Sequence, residues 1–273
     1  MSKIIILFIV LSVFYSGDES IYPKQVTSLP GKDSSFINPV YLDKNEHDQY
    51  YYHTTLRTSV CNDDLCQLVK LKLNWDLAGS YIGYDTLNGY PLTKNDHIPF
   101  TTQDYKKLHQ ALQDNRSILG DKSEEELFDK SKERYSEKID GTTGATSLEV
   151  KKVVVDGALY STYTLWKMAN GEIVGKLKNK TKANLTQAIS QQLLNSDNPE
   201  AVLLALDQWQ DEDFITKSQQ LINIMQRKSP LVNFYLAKRV PANVWQQKKT
   251  KKQLAKLWDE LDSNTKSYLP IPE

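Results

Sequence analysis

The run LVKLKLNWDLAGSYIGYD, residues 68–85, decides the fold class. Leu68, Lys70, Lys72 and Asn74 alternate with Val69, Leu71, Leu73 and Trp75. That is the period of two expected of a strand with one buried face. A second strand over Ser80 to Asp85 is predicted to pair with it across a turn at Asp76 to Gly79. Downstream, Thr101 or Thr102 caps a predicted helix that sets Tyr105, Leu108 and Leu112 at helical spacing. Residues 121–138 are rich in Lys and Glu and read as a surface helix or connector. Val150 to Asp156 reads as strand. Ala158 to Ala169 reads as a helix with Leu159, Tyr163 and Trp166 on one face, stopped by a left-handed cap at Asn170-Gly171.

From about Thr181 the pattern changes to short helices without strands. They are expected at Leu185 to Leu194, from Pro199, at Asp213 to Arg227, Leu231 to Val240 and Lys251 to Leu261. Their lengths suggest degenerate helical repeats, without a clean period. Toward the N-terminus, residues 18–48 carry Pro23, Pro30, Gly31 and Pro39 among many polar residues and read as an extended arm. Ahead of it, Lys3 and the apolar run Ile4 to Tyr15 read as a signal sequence over residues 1–17, too short for a comfortable membrane span and either cleaved or retained as an anchor. The expected location is extracytoplasmic, in a periplasm or at a cell surface. The expected organisation is α+β, with a small mixed domain over 49–178 and an all-helical domain over 179–273.

Acidic and basic residues number 34 each, which argues against a nucleic-acid partner. The densest basic cluster, Lys248, Lys249, Lys251 and Lys252, reads as a solvated helix face. Cys61 and Cys66 are a close pair, and in an oxidising compartment they read as a disulfide, either a structural staple or a redox-active pair. No histidine sits at metal-ligand spacing from them, so no metal site is expected. His97 and His109 flank the predicted helix without a catalytic pattern, and no G-x-S-x-G elbow points to hydrolysis.

The sharpest local signal is Asp140-Gly141-Thr142-Thr143-Gly144-Ala145-Thr146. It resembles D-x-x-[ST]-G-A-T, the sequence at which extracytosolic FMN-binding domains receive covalent flavin. The resemblance spans residues 60–175 at most and is specific only in those seven. It implies that Thr146 carries FMN through a phosphoester made by a separate flavin transferase. It also implies that Asp140 and Thr143 belong to the recognition sequence, while Gly144 and Ala145 leave room for close backbone approach. The glycine-rich strand pairs usual before the motif are missing, so contacts to the flavin ring are not carried over. The residues alone allow a second reading, because Thr146-Ser147-Leu148-Glu149 is also a capping box with Thr146 at N-cap.

Together these features imply an exported electron carrier with FMN on Thr146, a helical domain for docking, and a redox partner protein, free or membrane-bound. The competing expectation is a non-enzymatic exported scaffold, with Tyr50-Tyr51-Tyr52 and Trp166 as its aromatic surface or core.

Overall fold

A computed structural model describes residues 22–32, 34–60, 68–94, 97–127, 147–227 and 229–271. The signal sequence expected over 1–17 lies outside them. The chain is α+β: an antiparallel five-stranded sheet, then a helical C-terminal domain. The strands are β1 (Lys24–Pro30), β2 (Ile37–Lys44), β3 (Tyr50–Thr58), β4 (Val69–Trp75) and β5 (Tyr81–Thr86), and they lie side by side in chain order.

The deciding stretch behaves as its alternation requires. Val69, Leu71, Leu73 and Trp75 are buried while Lys70, Lys72 and Asn74 lie on the opposite face. The turn to β5 is built on Asp76, whose Oδ1 accepts from Ala78 N and Ser80 N, both at 2.8 Å. Gly79 closes it at φ +76, and a Cβ there would sit 2.9 Å from the Val174 carbonyl oxygen. Glycine is therefore required twice, for the left-handed backbone and for the close approach of a helix.

Residues 18–48 are not an arm outside the core, because β1 and β2 complete the sheet within them. Pro39 hid this strand from sequence reading, since proline is rare inside sheets. It is tolerated because the β2–β3 register begins only at Val40 opposite Thr54. Beside Pro39, the buried Asn38 side chain stands in for the ladder. Its Oδ1 accepts from Arg57 N at 2.8 Å, and its Nδ2 donates to the carbonyls of Arg57 at 3.2 Å and Leu29 at 3.0 Å.

Helix α1 (Thr102–Gln113) starts where expected. Thr101 and Asp104 form a reciprocal capping box, and Leu108 and Leu112 are buried. The segment expected as strand, Val150 to Asp156, instead begins as helix α2 (Leu148–Val153) and becomes extended only at Val154. Ser147 caps that helix, its Oγ accepting from Val150 N. Helix α3 (Leu159–Asn170) follows as predicted. Gly171 ends it at φ −80, so the expected left-handed cap does not form, and α4 (Glu172–Ala183) resumes at once. A Cβ on Gly171 would collide with the Lys167 carbonyl oxygen, which accounts for the glycine.

The C-terminal helices are α5 (Gln187–Leu194), α6 (Pro199–Leu206), α7 (Asp211–Thr216), α8 (Ser218–Met225), α9 (Pro230–Arg239), α10 (Ala242–Gln246), α11 (Lys248–Leu257) and α12 (Ser263–Lys266). Asp213 to Arg227, expected as one helix, breaks at Lys217, where the backbone leaves the helical region at φ −101, ψ 24. None of the described helices is long and apolar enough to cross a membrane.

Sheet and helices share one buried core. Trp75 Nε1 donates to the Ala169 carbonyl at 2.8 Å, joining β4 to α3. Tyr52 OH and Thr181 Oγ1 are 2.8 Å apart, and Thr181 donates onward to the Leu77 carbonyl at 2.7 Å. Asn198 Nδ2 donates to Asp76 Oδ2 at 2.7 Å and to Ser80 Oγ at 2.9 Å, which fastens the β4–β5 turn to the cap of α6. Buried polar groups joined in this way leave no orphaned donor at the junction.

Candidate functional site

Asp140, Thr143, Gly144, Ala145 and Thr146, and the pair Cys61 and Cys66, all lie outside the described residues. The residues that flank both segments are described: Val60 and Leu68 for the first, Leu127 and Ser147 for the second.

Upstream of the motif, a 3-10 turn over Glu124–Leu127 buries Leu127 completely. Downstream, Ser147 N donates to the Leu127 carbonyl at 3.3 Å, so the two described residues on either side of the motif segment meet. Ser147 Oγ then accepts from Val150 N at 3.4 Å and is the N-cap of α2. The cap expected at Thr146 is therefore made by its neighbour, and Glu149 stands at N2 rather than N3, so the expected capping box is not formed. Below the cap, Val150, Val154 and Val155 are fully buried and anchor the return.

Helix α3 supports this arrangement from beneath. Its aromatic face is core: Leu159 is buried completely, and Tyr163 and Trp166 nearly so. The polar tips of this face hold the carbonyls of the connection that leads toward the motif. Tyr163 OH donates to Lys122 O at 2.8 Å, Trp166 Nε1 to Asp114 O at 2.9 Å, and Lys167 Nζ to Gly120 O at 2.8 Å. Burial raises the Tyr163 phenol above its ordinary pKa, and Glu124 and Glu126 reinforce the shift. It therefore acts as a neutral donor.

Lys32 ties the roots of the two segments together. Its Nζ donates to Glu124 Oε1 at 2.7 Å and to the Val60 carbonyl at 3.0 Å, and it lies 5.5 Å from the Tyr160 ring centroid. Val60 directly precedes Cys61, and Glu124 opens the turn that leads to Leu127. Lys32 thus joins the end of β3 to the turn that precedes Leu127. Sequence reading did not find Lys32, since nothing in Gly31-Lys32-Asp33 signals a tie to partners 28 and 92 positions away.

A separate open groove of about 780 Å³ lies between β5 and α1, lined in part by Tyr84, Tyr105, His109 and Gln110. Its volume is within the range of small-molecule sites. His109 Nδ1 is 3.0 Å from Tyr81 OH, and burial raises the Tyr81 and Tyr84 phenols strongly. His97 stands apart from it in the turn before α1, at φ 58. Among the described residues no group of acidic, histidine or cysteine side chains is arranged to hold a metal ion. Comparison with family models, with curated proteins and with solved structures finds no match.

Proposed function

We propose that the chain is an extracytoplasmic electron carrier with FMN in phosphoester linkage to Thr146. The observation that carries this reading is the unbroken run Asp140 to Thr146. The fold supports it in two ways. The structural role that would otherwise explain Thr146, capping α2, belongs to Ser147. The described residues on either side of the motif, Leu127 and Ser147, are joined by a backbone hydrogen bond and backed by buried Val150, Val154 and Val155.

Attachment forms one bond, from Thr146 Oγ to the flavin phosphorus, with loss of the hydroxyl proton. The donor is a flavin dinucleotide whose second nucleotide leaves as a monophosphate, and a separate transferase positions the two. Bound flavin supplies one- or two-electron redox chemistry, while the protein sets exposure and potential. Covalent attachment keeps the cofactor where no surrounding membrane confines it. Cys61 and Cys66 would serve this carrier either as a staple or as a relay for two electrons.

Coexpression with a flavin transferase tests the proposal. The peptide containing Thr146 should gain the mass of an FMN residue, and absorbance near 450 nm should survive denaturation. An unmodified chain beside a modified control protein in the same cells would refute the carrier and favour a scaffold.

A further inference from the structure

Arg57 of β3 and Lys70 of β4 are register partners on the outer face of the sheet. Side chains so placed are about 5 Å apart at Cβ, and like charges there repel. Lys72 adds a third cation on the same face, opposite Thr55. Among the described residues no carboxylate forms an ion pair with any of the three. Asp85, the register partner of Lys72 on β5, accepts from Asn74 Nδ2 at 3.1 Å instead.

Each cation is held by an aromatic side chain: the Arg57 guanidinium is 4.8 Å from the Phe36 centroid, Lys70 Nζ is 3.8 Å from that of Tyr90, and Lys72 Nζ donates to Tyr51 OH at 3.2 Å. These contacts fix the charges in place at a cost in mutual repulsion that an anion would relieve. The rings already face cations, so the patch is not a free stacking platform of the kind that binds single-stranded nucleic acid. Beside it Ile37 is 66% exposed, and an apolar side chain at the rim of a charged patch suits a protein surface.

We infer that Arg57, Lys70 and Lys72 form a docking face for an acidic polypeptide surface. Resting on the carrier reading, that surface belongs to the redox partner. Complementary charge speeds the partner's encounter with this face.

Fluorescence anisotropy with a labelled octaglutamate peptide tests this on the whole mature chain. Binding should weaken with salt, as a screened interaction must. It should fall roughly tenfold in the Arg57→Gln/Lys70→Gln double variant and stay unchanged in Lys248→Gln/Lys249→Gln, which removes the same charge from α11. Equal affinity in both double variants, no binding, or binding indifferent to salt overturns the docking face. Tighter, patch-dependent binding of oligothymidylate or of phosphatidylglycerol vesicles overturns the polypeptide assignment. Binding that appears only in Asp63→Asn/Asp64→Asn would show that the connection's own carboxylates serve the patch, which also overturns it. Thermal melts of each variant check folding. The assay needs no flavin, so a chain without FMN would sink the carrier reading while the anisotropy still decides the docking face.

Discussion

Asn198→Ala removes the side chain that joins the sheet to the helices, and its cost can be worked from the contacts. Asn198 Oδ1 accepts from Glu200 N at 3.1 Å as the N-cap of α6, and loss of such a cap costs about 1 kcal/mol. Its Nδ2 donates to Asp76 Oδ2 at 2.7 Å, and leaving that carboxylate oxygen without its donor costs about 1.5–3 kcal/mol. The bond to Ser80 Oγ adds about 0.5–1 kcal/mol. Neighbouring terms do not add fully, and the site is partly solvated, so a loss of about 2–4 kcal/mol is expected. Urea unfolding followed by tryptophan fluorescence should show it as a lower midpoint in a single transition, because sheet and helices share one core. Asn198→Asp separates the terms. It keeps a capping oxygen but sets a second carboxylate against Asp76, whose pKa is already raised by burial and further by Glu200. The pair then holds a proton that the unfolded chain would release, so the penalty should be largest at neutral pH and shrink as the medium is acidified toward pH 4. A loss below about 1 kcal/mol in Asn198→Ala, or a pH-independent penalty in Asn198→Asp, would refute the junction as described.

Five further outcomes can be checked. Thr146→Ala should abolish FMN attachment and leave the urea midpoint unchanged. Ser147→Ala should retain attachment and lose about 1 kcal/mol with the cap, both read by intact mass and urea unfolding. Lys32→Met should destabilise by about 1–2 kcal/mol and speed amide exchange at Ser147 and Val150, because its bonds to Val60 and Glu124 join the two roots. His53 has its pKa lowered by burial and then by the Lys72 charge, with Asp43 at 3.2 Å opposing. The unfolded chain therefore binds the proton more readily. The stability present above pH 6.5 should fall as pH drops toward 5, and His53→Gln should flatten that dependence in thermal melts. Native, unreduced protein from an oxidising compartment should resist alkylation at Cys61 and Cys66, and labelling of both thiols would exclude their pairing.

The parts of the fold that were legible in sequence are those whose pattern is local. Val69 to Trp75 alternates without interruption, and Thr101 with Asp104 makes its capping box within four residues. The strands β1 and β2 were hidden because Asn38 replaces backbone ladder bonds with side-chain bonds to Arg57, a partner 19 positions away. Three consecutive valines at 153–155 looked like strand. Yet Val150 and Val154 are four apart and both buried, and with Ser147 as cap the helical spacing prevailed. At the candidate site the motif was read from its resemblance alone. The side chains that hold its base, Lys32, Tyr163 and Trp166, could not be assigned, because each acts on a backbone carbonyl that no pattern marks.

The sheet's inner face is completed by residues that leave the ribosome late. Trp75 waits for Ala169, 94 positions on, and Tyr50 for Gln192, 142 positions on. At ordinary rates of synthesis the gap is roughly 5–30 s, far longer than hairpin formation. The meander from β1 to β5 can therefore assemble early and then present Tyr52, Leu71, Leu73 and Trp75 bare until the helices arrive. The nascent chain thus has a built-in interval in which it is sticky and unfinished. A chaperone that shields apolar sheet surface during that interval should raise the yield of folded protein more than any faster oxidation of Cys61 and Cys66 would.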